Sequence, residues 1–592
     1  MKASIDTVDK PSAHWDGEAK FGSDAVAETL RALDIPYILL TPGSSYRGLH
    51  DSLVNYLGNE RPQILLCLHE EHTVAIAHGY AKVMEKPLAA ALHANVGLFH
   101  ATMAIFNAWC DRTPVVIIGA TGPVDAAKRR PWIDWIHTAR DQGSVVRHYV
   151  KWDDQPASPA AAREALLRAS WMARTRPQGP VYINLDAGMQ EAPLSEPLPP
   201  IEAARFMPPV VSAAPMDLVA RAAAMLRHAQ SPLIMMGRVS RSLEAWNARV
   251  AMAEALGAKV VTDLKVPAAF PTDHVLHVGP PAIFVAPQVA GAIRGADAIL
   301  SLDWLDLAGT LKSAFDTSAP PAQVIQVSLD HHLHNGWSMD YQGLPPVDLF
   351  IAADPDAMVA ATLEVLRPKA RPRTDRQPAV EVGYDDVAQG RISLDHVASA
   401  LRQAAGGRAI SLLQLPLGWN GAVWPFRHPL DYVGSHAGGG VGRGPGFAVG
   451  AALALRGSGR LPVAVVGDGD FLMGATAVWT AVHYGIPLLM VIANNRSFFN
   501  DELHQERIAR MRGRPVENRW VGQRVDNPEI DLARIASAQG AVGFGPIKHG
   551  DELLVKLRRA IDEVESGAVA VVDAWVEPGY VPSMTAAMTE KQ

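Results

Sequence analysis

The chain has 592 residues, 48% of them apolar and 19% charged, with a formal net charge of −7. That length exceeds one core and suggests about three to four domains. The negative balance and the lack of a basic, aromatic-laced patch exclude a general nucleic-acid binder, and no apolar run approaches the ~20 residues of a membrane span. Cys67 and Cys110 are its only cysteines, without CxxC or zinc-ligand spacing, which excludes a disulfide framework. With a polar N-terminus that has no signal-peptide core, they predict a cytoplasmic protein.

After the polar leader, residues 23–33 carry apolar positions at helical spacing. Strands are predicted at 37–40, 64–67, 88–91, 115–118 and 181–183, alternating with helical segments. Residues 192–215 are Pro-rich and read as a linker. A second alternating segment has strand candidates at 232–236, 259–262, 298–302 and 324–327, followed by a linker at 367–382 that is rich in Arg, Pro and Lys. The third segment holds a strand at 462–466, one helix over 471–484 and a strand over 486–493. The fold class is therefore α/β, three doubly wound parallel-sheet domains, at 21–190, 205–366 and 390–576, with a tail at 577–592. The first and third are alike in length and alternation.

The third segment carries the most specific chemistry. Its apolar strand ends in Gly467-Asp468-Gly469, where glycines permit a sharp turn close to a phosphate. The next strand ends in Asn494-Asn495. Loops after strands gather at the carboxyl edge of such a sheet, so Asp468 and the Asn495 amide oxygen are predicted to meet at one hard cation, for which oxygen ligands suit Mg²⁺. GDG followed by NN resembles the thiamine diphosphate (ThDP) signature. The first segment adds an apolar strand running into His69-Glu70-Glu71-His72 at a helix start, and HEEHTVAIAHGYA resembles the HExxAxxxAxGYA element of the ThDP-dependent decarboxylase and acetolactate synthase superfamily.

The resemblance implies a fold of pyrimidine, middle and diphosphate domains. It implies ThDP and Mg²⁺ as cofactors, and a homodimer or homotetramer with active sites shared between subunits. By carry-over, Glu70 pushes the ThDP aminopyrimidine toward its imino tautomer, which removes the thiazolium C2 proton; burial would raise the pKa of such a carboxyl. Asp468, Asn495 and the Ser497 carbonyl would hold the metal, and Gly467 and Gly469 would lie along the diphosphate.

Further matches bring the first segment close to the benzoylformate decarboxylases. Thr41-Pro42-Gly43-Ser44 is similar to their NPGS, Leu92-His93-Ala94-Asn95-Val96-Gly97 to LHSAAG, Phe106-Asn107-Ala108-Trp109 to SNAW, and Phe270-Pro271-Thr272-Asp273-His274 to FPTRH. The resemblance assigns Ser44 to the substrate carboxylate and His93 and His274 to proton transfer, with Gly43 and Gly97 beside the cofactor. Gly439-Gly440-Val441-Gly442 resembles GGLG, so Val441 would press beneath ThDP, with Gly439 next to it.

Three departures stand out. Gln414 to Trp419 replaces a hydroxyl-rich stretch, Asp470 replaces a small residue beside the expected phosphate, and His100 stands where related members carry asparagine. The basic run over 507–524 reads either as a solvated helix and loop or as a cover that contacts an anionic ligand. Substrate choice is expected to depend on the loops around Tyr46, Trp419, Trp424 and Phe498 and on the tail.

The expected function is a ThDP- and Mg²⁺-dependent enzyme that cleaves a C–C bond, most simply by decarboxylating a small-molecule 2-oxo acid. The alternatives are an acetolactate-synthase-like carboligase, an acyloin or acyl-CoA lyase, and a non-catalytic binding protein of the same fold. No motif indicates FAD.

Overall fold

A computed structural model describes residues 4–315, 320–333, 343–367, 375–380, 391–434 and 438–580. Most of the linker predicted at 367–382 and of the tail at 577–592 therefore lies outside the described residues.

Among the described residues, sixteen strands form three sheets. The first holds β1 (Tyr37–Leu40), β2 (Gln63–Leu66), β3 (Ala89–Leu92), β4 (Val116–Thr121), β5 (Asp153–Asp154) and β6 (Val181–Asp186) in the order β2-β1-β3-β4-β6-β5. The second holds β7 (Pro232–Met236), β8 (Lys259–Val261), β9 (Ala298–Leu302), β10 (Gln323–Val327) and β11 (Leu349–Ile351), ordered β11-β10-β9-β7-β8. The third holds β12 (Ile410–Gln414), β13 (Leu461–Gly467), β14 (Leu488–Asn494), β15 (Val542–Ile547) and β16 (Val569–Trp575), ordered β12-β13-β14-β16-β15.

Every pairing within the sheets is parallel. Helices flank the sheets, which explains why the interior strands are apolar throughout rather than alternating. Without β2, the first sheet's order β1-β3-β4-β6-β5 is that of the third. The alternation common to the two segments is thus a common topology, except for one edge strand. No described helix is long and apolar enough to cross a membrane.

The chain divides into two compact units. One comprises Met1–Val210, Ala437–Arg456 and Gly474–Pro487; the other comprises Val211–His436, Gly457–Met473 and Leu488–Gln592. Packing inside the first unit explains why it takes in pieces of the third segment. The helix Glu70–Met84 lies against the helix Arg443–Ala454 with glycine at the crossing on both sides. A Cβ at Gly79 would overlap the Phe447 carbonyl, and one at Gly450 the Ile76 carbonyl. Gly450→Val is therefore expected to destabilise the chain by about 3 kcal/mol or more, read as a fall in the denaturant midpoint.

One prediction needs correction. The helix expected over 471–484 is two helices, Asp468–Gly474 and Ala477–His483. At the break, a Cβ on Gly474 would run into the Gly442 carbonyl. Of the four aromatic residues whose loops are expected to set substrate choice, Tyr46, Trp419 and Trp424 are buried, and the Tyr46 hydroxyl donates to the carbonyls of Leu92 and Ile118. Phe498 alone keeps an exposed face.

Candidate functional site

In the first unit, β2 ends three residues before His69, which caps the next helix with extended backbone and accepts from Glu71 N–H through Nδ1 at 3.1 Å. Glu70 opens that helix, where a carboxylate is favoured by the free amides and the macrodipole. Its Oε2 lies 3.0 Å from His100 Nδ1. Gly97 provides the room, since a Cβ there would stand 3.3 Å from Glu70 Cγ.

His93 leaves the end of β3 and caps the helix Ala94–Cys110. Its Nδ1 lies 2.7 Å from the hydroxyl of Ser45, and a Cβ on Gly43 would collide with its ring. The hydroxyl on His93 thus belongs to Ser45; Ser44 begins the short 3-10 turn Ser44–Tyr46 and is part exposed. The sequence reading also missed His137, whose ring meets His93 edge-to-face at 4.5 Å between centroids. Gly122 N–H donates to the His137 carbonyl, and Arg130 and the buried Asp134 tie the loop between them, 2.7 Å apart. The usable signal was the i,i+4 pair Arg130/Asp134 leading to a histidine in the long loop after a strand. Burial, aided by His137 and Arg130 and opposed by Glu70, pulls the His93 ring down to about 4, so it rests neutral at physiological pH.

The loop expected beneath ThDP also belongs to this unit. Gly439 and Gly442 have φ of +78° and +99°, a region open to glycine. Gly438 N–H donates to Asn107 Oδ1 at 3.0 Å, and Val441 is 43% exposed.

In the second unit, Asp468 follows β13 and is 5% exposed. Its Oδ1 accepts from Gly469 N–H at 3.0 Å, while Oδ2 is buried with no hydrogen-bond partner. Burial pushes this carboxyl up to about 6 despite the neighbouring amides of Gly469, Arg496 and Ser497. A Cβ at Gly467 would meet open space, whereas one at Gly469 would press on the Phe498 ring. Asp470 sits in the first turn of the helix Asp468–Gly474.

Asn495 Oδ1 accepts from Ser497 N–H at 2.9 Å, and Arg496 between them holds φ +57°, a strained value for a side chain with a Cβ. Ala94, directly after His93, is strained likewise at φ +43°. Strain thus falls next to candidate site residues in both units. Ser497 donates to Glu502 Oε1 at 2.6 Å. Glu502 is buried and pairs with Arg519 and Arg524, each at 3.3 Å, and Glu506 pairs with Arg510 and Arg519. Three cations of the basic run are thereby neutralised by the helix Phe499–Met511.

Asn494 serves a different role from its neighbour. Its Nδ2 donates to Asp573 Oδ1 at 2.9 Å, and burial pushes the Asp573 carboxyl up from 3.8 to about 6. A pKa raised on folding contributes stability that is full below the unfolded value and lost as pH rises through the folded one. The metal-free chain should lose about 2–3 kcal/mol from this group between about pH 4 and about pH 7. Asp573→Asn should remove that slope, as checked by denaturant midpoints across the range.

His274 belongs to the second unit. Its ring is wholly buried, with Nε2 3.0 Å from Glu254 Oε1, and packs on Phe270.

The residues fit the cofactor set. An unpartnered buried carboxylate oxygen beside an amide oxygen is a donor set for a hard divalent cation, and the bare backbone at Gly467 leaves room for a diphosphate. Comparison with known proteins points the same way. Profiles of the thiamine pyrophosphate enzymes match as the N-terminal TPP binding domain at 21–151, the central domain at 219–361 and the C-terminal TPP binding domain at 417–574. The benzoylformate decarboxylase of Pseudomonas aeruginosa is 27% identical over 449 residues, 73% of this chain and 79% of that protein. The acetolactate synthase large subunit of Corynebacterium glutamicum is 24% identical over 493 residues, 81% of this chain and 75% of that one. The fold is that of the benzoylformate decarboxylase of Polynucleobacter necessarius, with a TM-score of 0.79, 22% identity, and coverage of 95% of this chain and all of that one. With these three domains in order along three parallel sheets, the chain belongs to the thiamine pyrophosphate enzyme family.

Proposed function

We propose that the protein is a ThDP- and Mg²⁺-dependent lyase that decarboxylates a 2-oxo acid. The observation that carries this reading is the Ser45–His93–His137 group at one strand end, near enough to Glu70 for the carboxylate to act on the ring. ThDP, when bound, supplies the nucleophilic carbon and takes up the electron pair as the bond to CO₂ breaks. Residues 21–190 would hold its pyrimidine and residues 390–576 of a neighbouring subunit its diphosphate, with 205–366 as the middle domain. Asp468, Asn495 Oδ1 and the Ser497 carbonyl would hold Mg²⁺, with Gly467, Gly469 and Asp470 lining the phosphate side. Glu70 would share a proton with the pyrimidine ring nitrogen. Gly43, Gly97, Gly439 and Val441 would fit the cofactor's contours, and Ser44 would face the substrate carboxylate.

His93 would return a proton to the carbon that loses CO₂. Its neutral resting state is consistent with that task, because a substrate carboxylate nearby raises an imidazole pKa toward working pH. The burial of His274 against Glu254 supports a structural role for it instead.

One observation favours a second reading. A ring that rests neutral is a poor acid, and a carbon left unprotonated is free to attack a second carbonyl, as in carboligation. Product NMR decides between them. The Mg²⁺–ThDP-loaded protein is mixed with pyruvate, benzoylformate and branched 2-oxo acids, with His93→Ala alongside. Aldehyde from one acid, lowered about 10²-fold or more by His93→Ala, is the expected result. A hydroxyketone or acetolactate-type product would move the assignment to carboligase. Silence with every acid despite ThDP binding would sink both readings of the substrate.

A further inference from the structure

The Glu70 carboxyl has two oxygens, and the chain holds one of them. Oε2 meets His100 Nδ1 at 3.0 Å, with the Glu70 side chain 12% exposed and that of His100 58%. The His100 ring is itself held. His69 stacks on it at 5.2 Å between centroids and 19° between planes, and His69 is fixed in turn as the helix cap. Gly97, three residues earlier on the His100 helix, lets the stem of Glu70 lie close.

The last torsion of a glutamate is broad and two-fold, so an unheld carboxyl spreads over many orientations. A donor on Oε2 removes that freedom and leaves Oε1 as the oxygen presented to a ligand. We infer that His100 is the positioning residue for Glu70, fixing Oε2 so that Oε1 faces the pyrimidine ring nitrogen of ThDP. This rests on the proposed reading of Glu70.

The required property is one N–H donor at that point. Asparagine could supply it through Nδ2; alanine could not. A different use of the cluster, chelation of an ion, is disfavoured although one ligand atom each from His69, Glu70 and His100 lies within 4.8 Å of the others. The His69 Nδ1 lone pair already accepts from Glu71 N–H, so the neutral ring carries its proton on Nε2. An ion would have to break the cap.

The test compares wild type with His100→Ala, His100→Asn and Glu70→Gln. Deuterium exchange at C2 of bound ThDP is followed by acid quench and proton NMR, and ThDP affinity by calorimetry. His100→Ala should slow exchange by about tenfold to a hundredfold with ThDP affinity nearly constant, since a small misplacement of a catalytic group costs rate more than binding. His100→Asn should restore most of the exchange rate, and Glu70→Gln should abolish it.

Wild-type exchange in His100→Ala, a loss confined to affinity, or His100→Asn as slow as His100→Ala would each overturn the inference while Glu70→Gln still stalls. Unimpaired exchange in Glu70→Gln would overturn the reading of Glu70 itself. Thermal melting of each variant separates misfolding from mispositioning, and the exposed face of His100 makes the substitutions compatible with folding. Should His100→Ala misfold, His100→Leu, which likewise lacks an N–H donor, takes its place, and rescue by His100→Asn is judged against it.

Discussion

Glu70→Gln is expected to lower C–C bond cleavage by about 10²- to 10⁴-fold with the melting temperature unchanged. The replacement has the same shape, and its carbonyl oxygen can keep the contact with His100 Nδ1. What it lacks is the capacity to share a proton, which the proposed chemistry requires of this side chain. The helix start that carries Glu70 is fixed independently by the His69 cap and the glycine crossing further along the helix, so a fall in rate cannot come from a lost helix. Steady-state rates on the acid identified by product NMR, beside melting curves, make the measurement. A variant that retains half the wild-type rate would remove Glu70 from the mechanism.

Asp468→Ala is expected to have effects of opposite sign on binding and stability. Calorimetry should show Mg²⁺-supported ThDP binding weakened by at least about a hundredfold, because the only carboxylate of the proposed metal set is gone; changes merely outside a metal's ligand shell already cost about 10- to 100-fold. The metal-free chain should meanwhile melt no lower than wild type. Asp468 buries a carboxyl with one oxygen unpartnered, which opposes folding. A residue that disfavours the empty fold and favours the loaded one is set for its ligand. Lower stability with unchanged binding would show Asp468 to be a structural acid.

Much of this site was legible in the chain because its chemistry sits at strand ends, and strand ends are visible as changes of composition. The strand before Gly467-Asp468-Gly469 and the one before Asn494-Asn495 are long and apolar, and both were found to within two residues. Glu70 was singled out by the resemblance of its helix start to the HExxAxxxAxGYA element. What escaped depends on side-chain direction or on a distant partner. Within the turn Ser44–Tyr46, spacing cannot say which hydroxyl turns toward His93, and it is Ser45. Aromatic residues look alike whether they line a pocket or fill a core, and Tyr46, Trp419 and Trp424 fill cores. His137 and His100 gain their significance from residues about 30 to 44 positions away, beyond the reach of any local pattern. The close approach of the Gly442 carbonyl at the break, which leaves no room for a Cβ on Gly474, is likewise set by a distant partner.

The first and third sheets have the same strand order except for β2, and β2 is the strand that leads to Glu70. In the common order, β3 corresponds to β13, so His93 and Asp468 occupy equivalent strand ends in two versions of one plan. The acid is the addition. An edge strand has a single neighbour, here β1, and can shift without carrying the rest of its sheet with it. His93 rises from an interior strand paired on both sides, with β1 and β4. The two halves of the proposed proton chemistry would therefore stand on supports of different stiffness. Substitutions along β2 can retune where the acid sits while the histidine that would handle the product stays in place, so these two functions can be adjusted separately within one scaffold.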